Sequence, residues 1–166
     1  MSFVAAFLLL DFCITPRSQH AVPWLWRFHA LHHSDPDVDV ITSVRHHPIE
    51  YLITAAFYWL AVVAFGIPVI VVTSHAVAVF TAAAIIRGNI RLPEWLEPSL
   101  QPVVITLDLH LIHQSIAHEE ANSNFGAVLS IWHRMFGTYK RRPRAERDRL
   151  VFGHRELAPA DALEPR

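Results

Sequence analysis

YLITAAFYWLAVVAFGIPVIVVTSHAVAVFTAAAII, residues 51–86, runs for thirty-six residues without one Lys, Arg, Asp or Glu. A single helical pass of a ~30 Å hydrocarbon layer needs about 20 apolar residues, so this run is too long for one crossing. Gly66-Ile67-Pro68 falls near its middle, and Gly with Pro punctuates helices. The pattern predicts a tight helical hairpin with arms 51–65 and 68–86, whose ends return to the same side. Both arms are short for a full crossing, so deep insertion without a clean pass is an alternative. His75, beside Ser74, lies inside the second arm. A polar residue at membrane depth is a functional candidate, and a hydrogen bond between helices accounts for it equally well.

Composition agrees with the hairpin. The 166 residues fit one domain, only 17% are charged, and mean hydropathy is positive. Soluble domains average roughly 25% charged residues, so a membrane-embedded protein is favoured. A net charge of −1 gives no argument for nucleic acid as a partner. Cys13 is the single cysteine, which excludes an intrachain disulfide framework. There is no internal repeat. The twelve histidines are the outlier, and they are clustered.

On the N-terminal side of the hairpin, WLWRFHALHHSDPDVDVITSVRHHPIE (24–50) holds five of them. Pro23 is a helix start signal, and a helix is expected from about Trp24 to His33, broken by Ser34-Asp35-Pro36-Asp37. On such a helix His29, His32 and His33 fall within one arc about 100° wide. That is how a helix offers several nitrogens to one metal or to two neighbouring metals. His46 and His47 stand before Pro48 at the mouth of the apolar run. Trp24 and Trp26 beside Arg27 suit a membrane interface. Further upstream, Met1–Ile14 is apolar but short and interrupted by Asp11. It lacks a signal peptide's basic start and small-residue cleavage site, and reads as the end of a membrane helix.

On the C-terminal side, residues 87–108 are rich in Pro and read as an interfacial connector. A second histidine region spans 110–139 and opens on His110 and His113. Residues 140–149 (KRRPRAERDR) are strongly basic, which favours the cytoplasmic face. The histidine regions and this run would therefore share the cytosol, the run acting as a solvated face touching anionic lipid. For His46, His118 and His154 a hydrogen-bonded interfacial role is expected. Neutral imidazole suits Fe, Zn, Cu and Ni alike, so histidine number does not identify the metal. The ExxH pairs of soluble carboxylate-bridged sites are absent.

The segments LWRFHALHHSDPDVDVITSVRHHPIE (25–50), GNIRLPEWLEPSLQPVVIT (88–106), HLIH (110–113) and NSNFGAVLSIWHRMFGTY (122–139) carry a resemblance. From about Leu8 to Gly153 the chain resembles the fatty acid hydroxylase, or sterol desaturase, superfamily of membrane di-iron oxygenases. The resemblance implies a cytosol-facing di-iron centre held by histidines. It also implies O₂-dependent hydroxylation or desaturation of lipid C–H bonds, with electrons from a reductase partner. Carried over by position, His20 matches the second histidine of an HRxxH box, and His29, His32 and His33 match an HxxHH box. His47 matches the histidine of an RxHPxE segment, with Arg45 and Glu50 in place. His110 and His113 match the start of the last HxxHH box, and Asn124 and Gly126 an NFG turn.

Three ligand positions depart from the family pattern. Pro16 stands at the first histidine of HRxxH, Arg87 at the histidine of HSNIRLP, and Gln114 at the last histidine of the final box. His133 stands where the family has an aspartate. Pro16 has no ligand atom and is expected to disturb the helix carrying His20. Arg87 is always charged and repels a cation. Losing even an outer partner weakens metal binding roughly 10- to 100-fold, so a full di-iron site is expected to be weakened. One metal on His29, His32, His33, His110 and His113 is an alternative, with His118 or His133 as spatial substitutes. Three readings follow: an active lipid hydroxylase with a modified site, a non-catalytic lipid- or partner-binding descendant, or a truncated or mis-sequenced copy. The fold expected is all-α, an integral membrane hairpin beneath a cytosolic histidine-rich helical cap. Residues 1–153 would form one N-terminally incomplete domain and 154–166 a disordered tail.

Overall fold

The computed structural model describes residues 16–88, 92–126 and 128–153. The apolar segment 1–14 with Cys13, the residues Asn89–Arg91, His154 and the tail lie outside the described residues. Among the described residues the protein is all-helical, with two isolated β-bridges, Val104 with Leu129 and Ser115 with Phe152. Two long helices form the hairpin: α3 (Pro48–Phe65) and α4 (Val69–Arg87). Around their open end lie α1 (Pro16–Ala21), α2 (Pro23–His29), α5 (Glu97–Leu100), α6 (Leu107–His113), α7 (His118–Ala121) and α8 (Ile131–Met135).

The first hairpin arm is longer than the charge-free run suggests, and the second is shifted by one residue. Pro48 opens α3 at a position where its missing N–H costs nothing, and α4 continues to Arg87. At 1.5 Å per residue, 18 and 19 residues give about 27–28 Å, close to a hydrocarbon layer. Gly66 makes the turn in the left-handed conformation (φ 59°, ψ 42°), and its N–H and that of Ile67 both donate to the Val62 carbonyl. The most apolar windows of the arms are only 11% and 6% buried within the chain. Leu52, Trp59, Leu60, Val63, Phe65, Val69, Ile70 and Phe80 all face outward. A core helix of a soluble protein would hide these side chains, so α3 and α4 are membrane helices and the protein is an integral membrane protein.

The cap is stitched to the hairpin by a small apolar contact. Ile86 of α4 packs with Ile105 and with Leu109 of α6, flanked by Ala82 and Tyr139. Elsewhere buried polar side chains outnumber buried apolar ones among the described residues. Two departures from expectation concern this cap. The HxxHH segment is not one helix: α2 stops at His29, and His32–Ser34 form a separate 3₁₀ turn. Pro16 does not abolish the helix carrying His20, which runs from Pro16 to Ala21 among the described residues. The basic run is also less solvated than expected. Arg147 is buried and pairs with Asp108 and Glu97, Arg142 pairs with buried Glu120, and Lys140 reaches Glu119 at 2.9 Å.

Asn124 fastens the C-terminal segment to α6. Its amide donates to the Leu109 and Lys140 carbonyls (3.3 and 2.8 Å), and its oxygen accepts from Lys140 N–H (3.0 Å). Its φ of 47° lies in the left-handed region, which Asn tolerates better than most residues. Asn124→Ala is expected to lose about 2–3 kcal/mol, from one buried and two part-buried hydrogen bonds and backbone strain. Thermal melts of the detergent-solubilised variant check this, and an unshifted midpoint would refute it.

Candidate metal centre

Three imidazoles have their protonation fixed by acceptors that cannot donate. His29 Nδ1 lies 2.9 Å from Glu50 Oε1, His32 Nδ1 3.0 Å from the Thr42 carbonyl, and His113 Nδ1 2.9 Å from the Ser123 carbonyl. Each Nδ1 must therefore carry the proton, which leaves Nε2 as a bare lone pair. This outer arrangement is the one that prepares a histidine for a metal. It originates in local sequence. Asp39 accepts from the Ile41 and Thr42 N–H groups at 2.7 and 3.2 Å, folding the 3₁₀ turn Ile41–Val44. The Thr42 hydroxyl donates to Asp35 (2.8 Å), which also pairs with Arg45 (3.2 Å). The loop thus presents the Thr42 carbonyl to His32.

The lone pairs sort into two groups. In the first, ring nitrogens of His20, His29, His33 and His113 all lie within 4.8 Å of one another. His20 Nε2 and His33 Nε2 face each other at 3.1 Å, and buried His29 Nε2 has no hydrogen-bond partner. One ion about 2.1 Å from each nitrogen would set them roughly 3–4 Å apart. A buried lone pair without a donor is one that a metal bond can satisfy. These residues fit a metal ion. Phe125, 4% exposed, covers the rings of His20 and His113 (5.2 and 5.5 Å), and Trp26 stands beside His20 at 4.9 Å.

In the second group the lone pairs already have donors. Gln114 Nε2 donates to His32 Nε2 at 2.7 Å, and Arg87 Nε–H donates to His110 Nε2 at 3.0 Å. Thus His32 and His33, neighbours in the HxxHH box with rings 89° apart, serve different halves. The set that the structure brings together, His20, His29, His33 and His113, differs from the single-metal set expected, which had His32 and His110 in place of His20. His47 is in neither half: its Nδ1 accepts the Ile49 N–H at 3.2 Å and caps α3. His46 turns inward instead, donating to Glu50 Oε1 (2.9 Å) with its ring stacked 4.4 Å from that of His32. Its spacing of four residues from Glu50 was the available signal. His118 is exposed and bonded to Asn122 (3.2 Å), and His133 lies beyond Phe125 (6.4 Å between rings). Neither joins the four-nitrogen set.

A cavity of 620 Å³ runs from the histidines down between α3 and α4, lined by His29, His46, Tyr58, His75, Phe80 and Ala83 among others. Its size falls within the ~300–1,000 Å³ of small-molecule sites. A second cavity, 350 Å³, touches His20 and His33 and is bounded by Trp26, Ile116 and His118.

Burial holds these imidazoles neutral. It pushes His113 down to about 3, helped by neighbouring His29, and His133 down to about 4. His20, His29, His32, His33 and His110 are lowered for the same first reason. In the unfolded chain each titrates near 6.5. As pH falls the unfolded state binds protons first, so the histidines' contribution is whole above 6.5 and is lost towards the folded values. The metal-free protein's melting temperature is therefore expected to hold near pH 7.5 and to fall as the pH drops from about 6.5 to 5. His133→Phe should make that slope shallower; an unchanged slope would contradict the assignment.

The fatty acid hydroxylase family's sequence model matches residues 3–138. The chain is similar to an alkylglycerol monooxygenase of Xenopus tropicalis, 28% identical over 156 residues, which covers 90% of this chain and 31% of that protein. It is similar to the ornithine lipid hydroxylase OlsE of Rhizobium tropici, 32% identical over 120 residues, 72% of this chain and 35% of that one. The Homo sapiens alkylglycerol monooxygenase is 26% identical over 173 residues, 99% of this chain and 35% of that protein. The chain spans about a third of the length of these curated relatives. No solved structure matches it. The match runs from the N-terminal residues through the hairpin and both histidine regions, and the chain belongs to the fatty acid hydroxylase family.

Proposed function

We propose that this protein is a membrane-bound oxygenase that hydroxylates or desaturates a lipid C–H bond, using iron held by histidines. The observation that carries the reading is the four-imidazole set at the head of a cavity between two membrane helices. The names of the similar proteins, lipid hydroxylase and alkylglycerol monooxygenase, support a lipid as the substrate. Their greater length leaves the whole protein's activity to experiment.

His20, His29, His33 and His113 would hold the iron, whose chemistry when bound is the activation of O₂. In hydroxylation one oxygen atom enters the C–H bond and the other leaves as water, with two electrons and two protons from a reductase partner. The chain's own residues do the positioning. Glu50 and the Ser123 carbonyl fix the His29 and His113 rings. Apolar walls from Val72, Val79 and Phe80 admit an acyl or sterol-like body. Phe125 and Trp26 shield the nitrogens from bulk water. The second cavity, on the cap side, offers O₂ a route that does not cross the lipid. The cap would face the cytosol, as the basic residues after Tyr139 favour, with residues 1–153 acting as one domain. The donors already on His32 and His110 favour a second reading, a non-catalytic lipid- or partner-binding descendant.

The test is ¹⁸O₂ incorporation into membrane lipids by the nanodisc-embedded protein, supplied with ferrous iron and a chemical reductant. Incorporation that falls more than about 100-fold in His33→Ala is expected. Iron bound without any ¹⁸O product would sink the oxygenase reading in favour of the binding one. Ala83→Phe narrows the cavity away from the ligands. It should raise KM for long-chain lipids while leaving metal content unchanged.

A further inference from the structure

We infer that this centre takes one metal ion and that Arg87 and Gln114 permanently fill the place of a second. The inference rests on the metal-binding reading above and goes beyond it by fixing how many ions the histidines hold.

The argument starts from protons. The Thr42 carbonyl keeps the His32 proton on Nδ1, so Nε2 can only accept, and the Gln114 amide donates to it at 2.7 Å. The same amide nitrogen stands 3.5 Å from His110 Nε2, which accepts from Arg87 Nε–H at 3.0 Å. Arg87 Nη1 reaches Ser43 Oγ at 3.4 Å. His32, His110 and Gln114 are all buried, at 2%, 3% and 1% exposure. The half-site is therefore a closed network in which each ligand nitrogen has a donor. A guanidinium supplies the fixed positive charge that a dication would otherwise bring.

An ion entering this half would have to displace both donors. It would leave the guanidinium close by in a poorly solvated pocket, a buried charge without its partner. Gln114 Oε1 is buried without a hydrogen-bond partner. Turning the amide to offer that oxygen would set it against the His32 lone pair, two acceptors facing each other. The group His29, His46 and Glu50 offers no alternative second site. Both Nδ1–H groups already donate to Glu50 Oε1, so those atoms carry protons where an ion needs lone pairs. In the first half the His20 and His33 nitrogens share one hydrogen bond with each other, at 3.1 Å, and His29 Nε2 has no partner.

The test counts ions. The protein in nanodiscs is loaded anaerobically with Co(II), desalted, and read by elemental mass spectrometry and electron paramagnetic resonance. The expected result is about one cobalt per chain, with the signal of an isolated high-spin ion accounting for all of it. The double variant Arg87→His, Gln114→His should bind about two, with signal lost to coupling between neighbouring ions. Two cobalt ions in the unmodified chain would overturn the inference and leave the metal reading standing. So would a double variant that melts like the parent yet takes up no second ion. No cobalt in the unmodified chain would overturn both, which separates the two failures.

Discussion

Glu50 joins the two parts of the molecule. It stands in the first turn of α3, a membrane helix, and its Oε1 accepts from His29 on α2 and from His46 at 2.9 Å each. Burying a carboxylate is costly unless it is paired and hydrogen-bonded. Here two imidazole N–H groups and the positive end of the α3 dipole offset that cost. The His29 bond also decides that Nε2 is the His29 nitrogen left with a lone pair. Moving the hairpin relative to α2 would break the His29 bond, so the lipid-facing helices and the orientation of the His29 ring are mechanically coupled.

The cap around this joint is a small polar interior. Among the described residues its clustered apolar core is Ile86, Ile105 and Leu109, with Leu107, Ile112, Ile116 and Phe125 also buried, and much of what else is buried is histidine, glutamate and amide. Such an interior is stable only if each polar group has a partner. Carbonyls of Thr42 and Ser123, the Asp35–Arg45 pair and the Asn124 clasp supply most of them. His29 Nε2, beside the nitrogens of His20, His33 and His113, is left without one.

The two halves of the histidine cluster illustrate how one substitution changes a site's meaning. An arginine at a ligand position reads in sequence as a lost ligand and an electrostatic obstacle. In the folded protein Arg87 is also a donor that satisfies His110, and Gln114 does the same for His32. The damage expected of these residues falls on one half of the centre. The other half keeps four nitrogens together because none of its members depends on them.

Much was legible in sequence alone. The charge-free run with Gly66 and Pro68 determined the helical hairpin, since it is too long for one crossing and carries a turn signal near its middle. The HxxHH and HLIH segments pointed to a histidine cluster able to hold a metal beside it, because spacing along a chain constrains which side chains can converge. Tertiary structure alone decided how the histidines divide. His32 and His33 are adjacent in sequence, yet a break after His29 sends them to opposite halves. His46 enters the cluster while His47 caps a helix, a choice made by Glu50 and the entry angle of α3. Which nitrogen carries a proton, and therefore which can bind a metal, depends on carbonyls ten residues away in sequence. Spacing fixes which residues are candidates, but a lone pair's direction and its competing donors exist only once the chain has folded around it.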